Sequence, residues 1–208
     1  MNQEIFKRSL SGLLFVVFIL FGITSQLKFQ ILIGMITLIC IYEIMCLSNL
    51  KYKIIGLLYI LPSFLILQFF SFNNFNSSTI LFFILLTWSF DIFAYLTGKT
   101  LGKNKILPSI SPNKTWEGFI GGFIMTNIAT FILLKIIPNN MLRFDIINIF
   151  LISCFIPLTA TIGDMVASFL KRKSNKKDFS NLIPGHGGML DRMDSFMITT
   201  PIFYFYFQ

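Results

Sequence analysis

The sequence predicts an all-α, polytopic membrane protein, a helical bundle of about seven transmembrane helices with its N-terminus in the cytoplasm. Three observations support this fold class: the composition, the spacing of the apolar runs and the placement of the basic residues. Of the 208 residues, 55% are hydrophobic and only 12% are charged, and the mean hydropathy is +0.76. A soluble domain keeps roughly a quarter of its residues charged. The composition therefore excludes a soluble enzyme, a secreted disulfide scaffold and a disordered tail.

Seven apolar runs account for the predicted helices, since one bilayer crossing needs about 20 apolar residues. They occupy residues 10–25, 29–47, 54–72, 79–98, 118–138, 146–170 and 195–208. The last run is short and ends in aromatic residues, which is typical of the membrane interface. These runs leave no room for a separate soluble domain, so we expect residues 1–208 to form a single integral membrane domain.

The 17 Lys and Arg residues segregate when successive loops are assigned to alternate sides of the membrane. Fourteen share the side of the N-terminus, and the other three are Lys28, Lys135 and Arg143. Because Lys and Arg are retained on the cytoplasmic side during insertion, the N-terminus is predicted inside and the C-terminus outside. We expect a multi-pass protein of the inner cell membrane. Its basic loops would face anionic membrane lipids and anionic solutes, with no nucleic-acid partner.

The nine Asp and Glu residues are the informative positions of this apolar chain. Six of them lie in two polar blocks that follow the fourth and sixth runs: Asp91, Glu117, Asp164, Asp178, Asp191 and Asp194. An ionised Asp within a membrane helix costs about 2.5–3.5 kcal/mol, so its presence predicts a partner, a cavity or a metal. We identify Asp91 and Asp164 as the two carboxylates that lie within membrane helices.

Asp164 begins a polar stripe that leads from the membrane towards the cytoplasm. The stripe continues on the same helix face at i+4, i+7 and i+8, with Ser168, Lys171 and Arg172. The opposite face of this helix is apolar. In the alternative interpretation, Asp164 is only an ion-pair partner of Lys171 or Arg172.

A glycine-rich segment, Pro184-Gly185-His186-Gly187-Gly188, precedes the seventh run. Glycines around a histidine let backbone N–H groups approach a phosphate closely. Asp191 and Asp194 follow one helical turn apart and face the same way. Hard carboxylate oxygens beside cations and amides are what Mg2+ and polyphosphate chemistry need. The segment therefore predicts a site for a metal and a polyphosphate.

The polar block after the fourth run has both a functional and a structural interpretation. In the functional one, Asp91 faces the site, and Ser111-Pro112 is a helix N-cap followed by proline at the first helical position. Lys114 would then be a cation in the first helical turn at the membrane surface. In the structural one, Gly118 and Gly122 only form a seam for helix packing.

Taken together, these motifs closely resemble the diagnostic stretch of the phosphatidate cytidylyltransferase (CDP-diglyceride synthase) family. The resemblance rests on the segments Ser168-Phe169-Leu170-Lys171-Arg172, Lys177-Asp178-Phe179, Leu182-Ile183-Pro184-Gly185-His186-Gly187-Gly188 and Leu190-Asp191-Arg192-Met193-Asp194-Ser195. The upstream block, from Asp91 to Lys103 and from Ser111 to Gly118, is similar to a second motif of that family. The resemblance covers the fourth to seventh runs and implies a catalytic half at residues 79–208.

The resemblance implies transfer of a cytidylyl group from CTP to phosphatidate, which yields CDP-diacylglycerol and pyrophosphate. It implies Mg2+, and it allows K+ in a second site and a homodimer. By similarity, Asp164 and Asp191 would be metal ligands, assisted by Asp194. The catalytic set would comprise Asp164, Asp191, Lys171 and Arg172. Substrate-binding residues would be Asp91, Lys114, Ser168, His186, Gly187, Gly188 and Arg192.

Two other functions are compatible with carboxylates in membrane helices. A CTP-dependent kinase or transferase acting on another lipid, such as a prenol, would also need carboxylates in its membrane helices. It would not be expected to have the full stretch from Lys177 to Ser195. A cation transporter would also bury Asp91 and Asp164. Against the transporter stand the absence of a sequence repeat between the halves and the crowding of cations and glycines on one side.

Overall fold

The computed structural model describes residues 2–137 and 146–206, and these form seven α-helices and one β-hairpin. The helices are α1 (Asn2–Gly22), α2 (Gln26–Met45), α3 (Leu50–Asn74), α4 (Ser77–Leu101), α5 (Trp116–Ile136), α6 (Ile146–Lys173) and α7 (Leu190–Tyr206). Each helix overlaps one predicted apolar run. Arg143 and the end of the last predicted run, residues 207–208, lie outside the described residues.

Five of the seven helices, α2 to α6, are long and apolar enough to cross a membrane. The apolar part of α1 is shorter, from Ser9 to Gly22. The last helix, α7, has 17 residues and carries Asp191, Arg192 and Asp194 in its first two turns. The described residues confirm seven helices, and the five apolar spans among them support a multi-pass membrane protein; seven membrane crossings remain a prediction.

Side-chain caps determine where several helices begin. Ser25, Asn49 and Asn76 each precede a helix, and the side chain of each accepts a hydrogen bond from a backbone N–H of the first turn. Such bonds satisfy N–H groups that have no partner within the helix. The predicted apolar runs miss these starts by two to four residues because the capped first turns are polar.

A two-stranded antiparallel hairpin of β1 (Lys105–Leu107) and β2 (Ser111–Thr115) joins α4 to α5. The all-α prediction therefore omits one small element, and the predicted N-cap at Ser111-Pro112 is wrong. The N-cap of α5 is Thr115, whose hydroxyl accepts from Gly118 N at 3.1 Å. Lys114 thus lies on a strand, not in the first turn of α5. Pro112 is tolerated because both strands of a two-stranded hairpin are edges.

The seam between α4 and α5 is built on glycines, as the structural interpretation predicts. A Cβ on Gly118 would lie 2.7 Å from Ala94 O, and one on Gly122 would lie 2.8 Å from the Phe90 ring. Small residues at these positions let the two helix backbones approach closely. This packing brings the hairpin and the end of α4 to the same end of the bundle.

The last helix, α7, is buried among α3, α4 and α6. Ser63 of α3 donates to Met197 O, and Thr159 of α6 donates to Thr199 Oγ1 at 3.0 Å. The Phe83 ring of α4 packs edge-on against Phe196, with centroids 5.6 Å apart. Because protein packs around α7, polar side chains such as Thr199 are buried inside the bundle and need not face lipid, so a helix of low hydropathy is accommodated.

Candidate active site

A cavity of about 730 Å³ opens at the end of the bundle where α4 and α6 end and α5 and α7 begin. Five carboxylates and three cations contribute to its lining: Asp91, Asp164, Asp178, Asp191, Asp194, Lys114, Lys171 and Arg192. The two polar blocks, which lie far apart in the sequence, therefore share one site. Its volume lies within the usual range for small-molecule sites.

Asp164 forms an ion pair with Lys114 across the cavity. The distance from Lys114 Nζ to Asp164 Oδ2 is 2.5 Å, and the two side chains are 23% and 29% exposed. Ser168, one turn further along α6, donates to Asp164 Oδ1 at 3.3 Å. The alternative that Asp164 pairs with Lys171 or Arg172 is therefore wrong. The pairing with a cation of the hairpin links the two sequence blocks directly.

Asp191 is the centre of a second, more buried ion pair. Its Oδ1 lies 2.7 Å from Lys171 Nζ, and the two side chains are 4% and 11% exposed. Its Oδ2 accepts from Phe179 N at 2.9 Å and from Gly188 N at 2.8 Å. Asp191 thus ties the end of α6, the following loop and the glycine-rich turn to the first turn of α7.

The glycine-rich turn requires glycine at specific positions. Gly185 and Gly187 have φ of 76° and 85°, which favour residues without a Cβ. Ile183 N donates to Gly187 O at 2.8 Å and closes the turn. The Gly188 N–H, which we expected to face a phosphate, is instead bonded to Asp191.

His186 lies against the N-terminal helix. Its Nδ1 is 2.9 Å from Ser11 Oγ, and Ser11 also donates to Pro184 O at 2.9 Å. A Cβ on Gly12 would lie 3.3 Å from the His186 ring, so α1 packs closely on the turn. The structure therefore places His186 between α1 and a second cavity of about 480 Å³, which the turn lines.

The second cavity adjoins the first through Arg192 and Asp178, which line both. Both residues are exposed. Arg172 is exposed as well, but its Nη1 donates to Lys176 O at 3.3 Å in the loop after α6. Of the two cations on the predicted stripe, Lys171 reaches the cavity and Arg172 braces the loop.

Asp91 and Asp194 are joined through Ser195. Ser195 Oγ donates to Asp91 Oδ1 at 3.1 Å, and Ser195 N donates to Asp194 Oδ1 at 2.9 Å. The Tyr59 hydroxyl lies 2.7 Å from Gly163 O and 2.9 Å from Asp194 O, where it bridges α6 and α7. The approach of these two helices is close, because a Cβ on Gly163 would lie 2.5 Å from Asp194 O.

Sequence reasoning missed Glu43, the third carboxylate within an apolar run. It is fully buried near the end of α2 and bonds to the start of α7. The rule that singled out Asp91 and Asp164, the cost of a charge in a membrane helix, applies equally to Glu43. Tyr59 carried no such signal, because a tyrosine in an apolar run is ordinary.

The cavity suits a hard divalent cation. Among residues 2–137 and 146–206, no three Asp, Glu, His or Cys side chains lie close enough together to hold one ion, so Asp164, Asp191 and Asp194 do not form a closed cage. Mg2+ usually binds through one or two carboxylates, with waters and substrate phosphates as its other ligands. Asp164 and Asp194 both line the cavity. An open pair of this kind fits Mg2+ with a phosphate substrate.

A family model described as "Cytidylyltransferase family" matches residues 53–208. The "Phosphatidate cytidylyltransferase" of Rickettsia felis is 39% identical over 212 residues, which cover 98% of this chain and 92% of that protein. This chain belongs to the phosphatidate cytidylyltransferase family. The relative of the same name from Rickettsia prowazekii is 38% identical over 98% of this chain and 92% of its own length. The one from Rickettsia bellii is 43% identical over 76% and 70%.

Family membership confirms the resemblance inferred from the motifs after the fourth and sixth runs. It also sets aside the cation transporter and the prenol kinase. The family model begins within α3, so α1 and α2 lie outside that match. Both helices nevertheless contact the site, since Ser11 bonds to the glycine-rich turn and Glu43 bonds to the start of α7. The catalytic half at residues 79–208 remains a prediction.

Proposed function

We propose that this protein is a phosphatidate cytidylyltransferase that works in the cavity between the hairpin and helices α4 to α7. It transfers a cytidylyl group from CTP to phosphatidate, as its near-full-length relatives are named for doing. One observation carries the placement of the reaction: the two motif blocks meet in one cavity, joined by the Lys114–Asp164 ion pair.

The reaction needs no nucleophile from the protein. A phosphate oxygen of phosphatidate forms a bond to the α-phosphorus of CTP, and the bond from that phosphorus to the bridging oxygen of the β-phosphate breaks. Pyrophosphate leaves with the electron pair. Two anionic groups must meet, so catalysis consists mainly of positioning and charge neutralisation. Lys114, Lys171 and Arg192 line the cavity and can bind phosphate oxygens.

Asp164 and Asp194, which line the cavity, would hold Mg2+, with Asp191 as a further candidate ligand. Bound Mg2+ would neutralise phosphate charge and orient the two substrates. In the proposed site, Lys114 and Lys171 hold the carboxylates in place and share their charge with the phosphates. The turn of His186, Gly187 and Gly188 would border the triphosphate. K+ in a second site and a homodimer remain proposals on the family's example.

The orientation is proposed from the basic residues, and it predicts which positions are accessible from each side. The site must face the cytoplasm, where CTP is. In a cysteine-free background, Ser109→Cys and Lys173→Cys should react with an impermeant thiol reagent in inverted vesicles, and Asn74→Cys only in intact cells. All three native side chains are exposed. Labelling of Lys173→Cys in sealed cells would contradict the cytoplasmic site.

The activity is tested by product release from purified protein in lipid or detergent. With CTP and Mg2+ present, we expect pyrophosphate to appear only after phosphatidate is added, in equal amount to CDP-diacylglycerol. A prenol kinase would release CDP instead, and a transporter would release neither. Pyrophosphate formation without a lipid product would contradict cytidylyl transfer to phosphatidate.

A further inference from the structure

Glu43 is a buried carboxylate of α2 that the reaction described above does not use. It is 0% exposed and lies in the last turn of α2. Its Oε1 accepts from Met189 N at 2.8 Å and from Ser180 Oγ at 2.6 Å, and its Oε2 accepts from Leu190 N at 2.8 Å. Both oxygens are therefore bonded to the segment that carries the glycine-rich turn.

The surroundings explain how a charge is tolerated there. The ion pairs found in the described part of the chain are Lys114–Asp164 and Lys171–Asp191, so none neutralises Glu43 there. Instead, its oxygens face the first N–H groups of α7, where the helix dipole is positive and the N–H groups have no partner within the helix. The buried carboxylate of Glu43 therefore fixes the start of α7.

Glu43 packs closely against Gly188 of the glycine-rich turn. A Cβ on Gly188 would lie 2.5 Å from Glu43 Oε1, so the carboxylate occupies the space that a side chain would fill. Gly188 N in turn donates to Asp191. Glu43 and Asp191 thus hold the same short stretch of backbone from two sides.

Two further contacts tie the loop to the N-terminal helices. Lys176 Nζ donates to Cys46 O at the C-terminal end of α2, at 2.9 Å, where a cation is favoured by the helix dipole. Ser11 of α1 donates to Pro184 O. The loop between α6 and α7 is therefore anchored on α1 and α2 at three points along its length.

We propose that Glu43 is a positioning residue for cytidylyl transfer. By fixing the first turn of α7, it sets where Asp191 and Arg192 stand relative to Asp164 and Lys114 across the cavity. Asp191 and Arg192 directly follow Leu190, whose N–H is bonded to Glu43, so a displaced helix start moves both side chains. Its role acts through these residues, because Glu43 does not line the cavity itself.

The test is Glu43→Gln, which conserves shape but leaves one oxygen to accept and turns an amide N–H towards a backbone donor. We expect kcat to fall roughly 10- to 100-fold, with the KM for CTP changed less than about threefold. Glu43→Asp, which retains two acceptor oxygens, should recover part of kcat. Thr37→Val is the matched control, since the Thr37 hydroxyl bonds to Ile33 O within α2. It should keep the parent rate.

A double variant keeps the proposal falsifiable if Glu43→Gln fails to fold. Gly188→Ala alone should lose most activity because its Cβ meets the Glu43 carboxylate. Adding Glu43→Asp withdraws that carboxylate, so the double variant should be more active than Gly188→Ala alone. Parent kcat in folded Glu43→Gln would overturn the proposal. So would a kcat loss no larger than the loss of folded protein, or a double variant as impaired as the two single changes combined.

Discussion

Asp164→Asn is expected to lower kcat by roughly 10³-fold or more, while the protein still inserts and folds. The change hardly alters volume, but it removes a hard charged ligand that faces both Lys114 and the cavity. The Mg2+ concentration for half-maximal rate should rise. The KM for CTP should not rise, because Lys114 loses its ion-pair partner and becomes free to bind phosphate. Steady-state kinetics over a Mg2+ titration measures all three quantities.

Ser153→Ala is the control on the same helix. Its hydroxyl bonds to Asn127 and to its own helix, away from the cavity, so the parent rate is expected. A near-parent rate for Asp164→Asn at ordinary Mg2+ would mean that the Lys114–Asp164 pair only links β2 to α6 and takes no part in catalysis. The proposed Mg2+ site would then have to exclude Asp164.

Asp191→Asn is expected to lower kcat by roughly 100-fold or more and to loosen the loop before α7, since breaking a buried ion pair costs about 3–5 kcal/mol. It leaves Lys171, whose side chain is 11% exposed, without its carboxylate. The carboxylate accepts hydrogen bonds with both oxygens, one from Lys171 and the other from the N–H groups of Phe179 and Gly188. The amide of the variant has only one oxygen that can accept. Limited proteolysis at the exposed Lys177, alongside kinetics, measures both effects.

Lys171→Met and Lys173→Ala are the matched pair for this prediction. Lys171→Met should share the activity loss, whereas Lys173, exposed and placed over the Phe169 ring, can be removed with little effect. Recovery of Asp191→Asn by added Mg2+ would assign Asp191 to the metal. Equal losses from Lys171→Met and Lys173→Ala would contradict a specific role for the Lys171–Asp191 pair.

A structural feature can be predicted from the sequence when the residues that determine it lie in one segment of the chain. The apolar runs place both ends of α2 to α6 to within four residues, because bilayer crossing is a property of one segment. The spacing of Gly118 and Gly122 likewise predicts a helix-packing seam from one segment alone, without knowledge of the helix that packs against it. The N-cap of α5 was misplaced because Ser111-Pro112 has the local chemistry of a helix start, whereas hairpin pairing with Lys105–Leu107 makes it a strand.

By itself the sequence determined the membrane class, the seven helices, the family and most of the charged residues that line the cavity. Those properties follow from composition, periodicity and motifs, which can be read along one chain. Only the tertiary structure decided the partners: Lys114 for Asp164, Lys171 for Asp191, and Glu43 for the start of α7. Which cation pairs with which carboxylate depends on how the helices pack. The sequence around each of these residues does not indicate that packing, because the partners lie far apart in the chain.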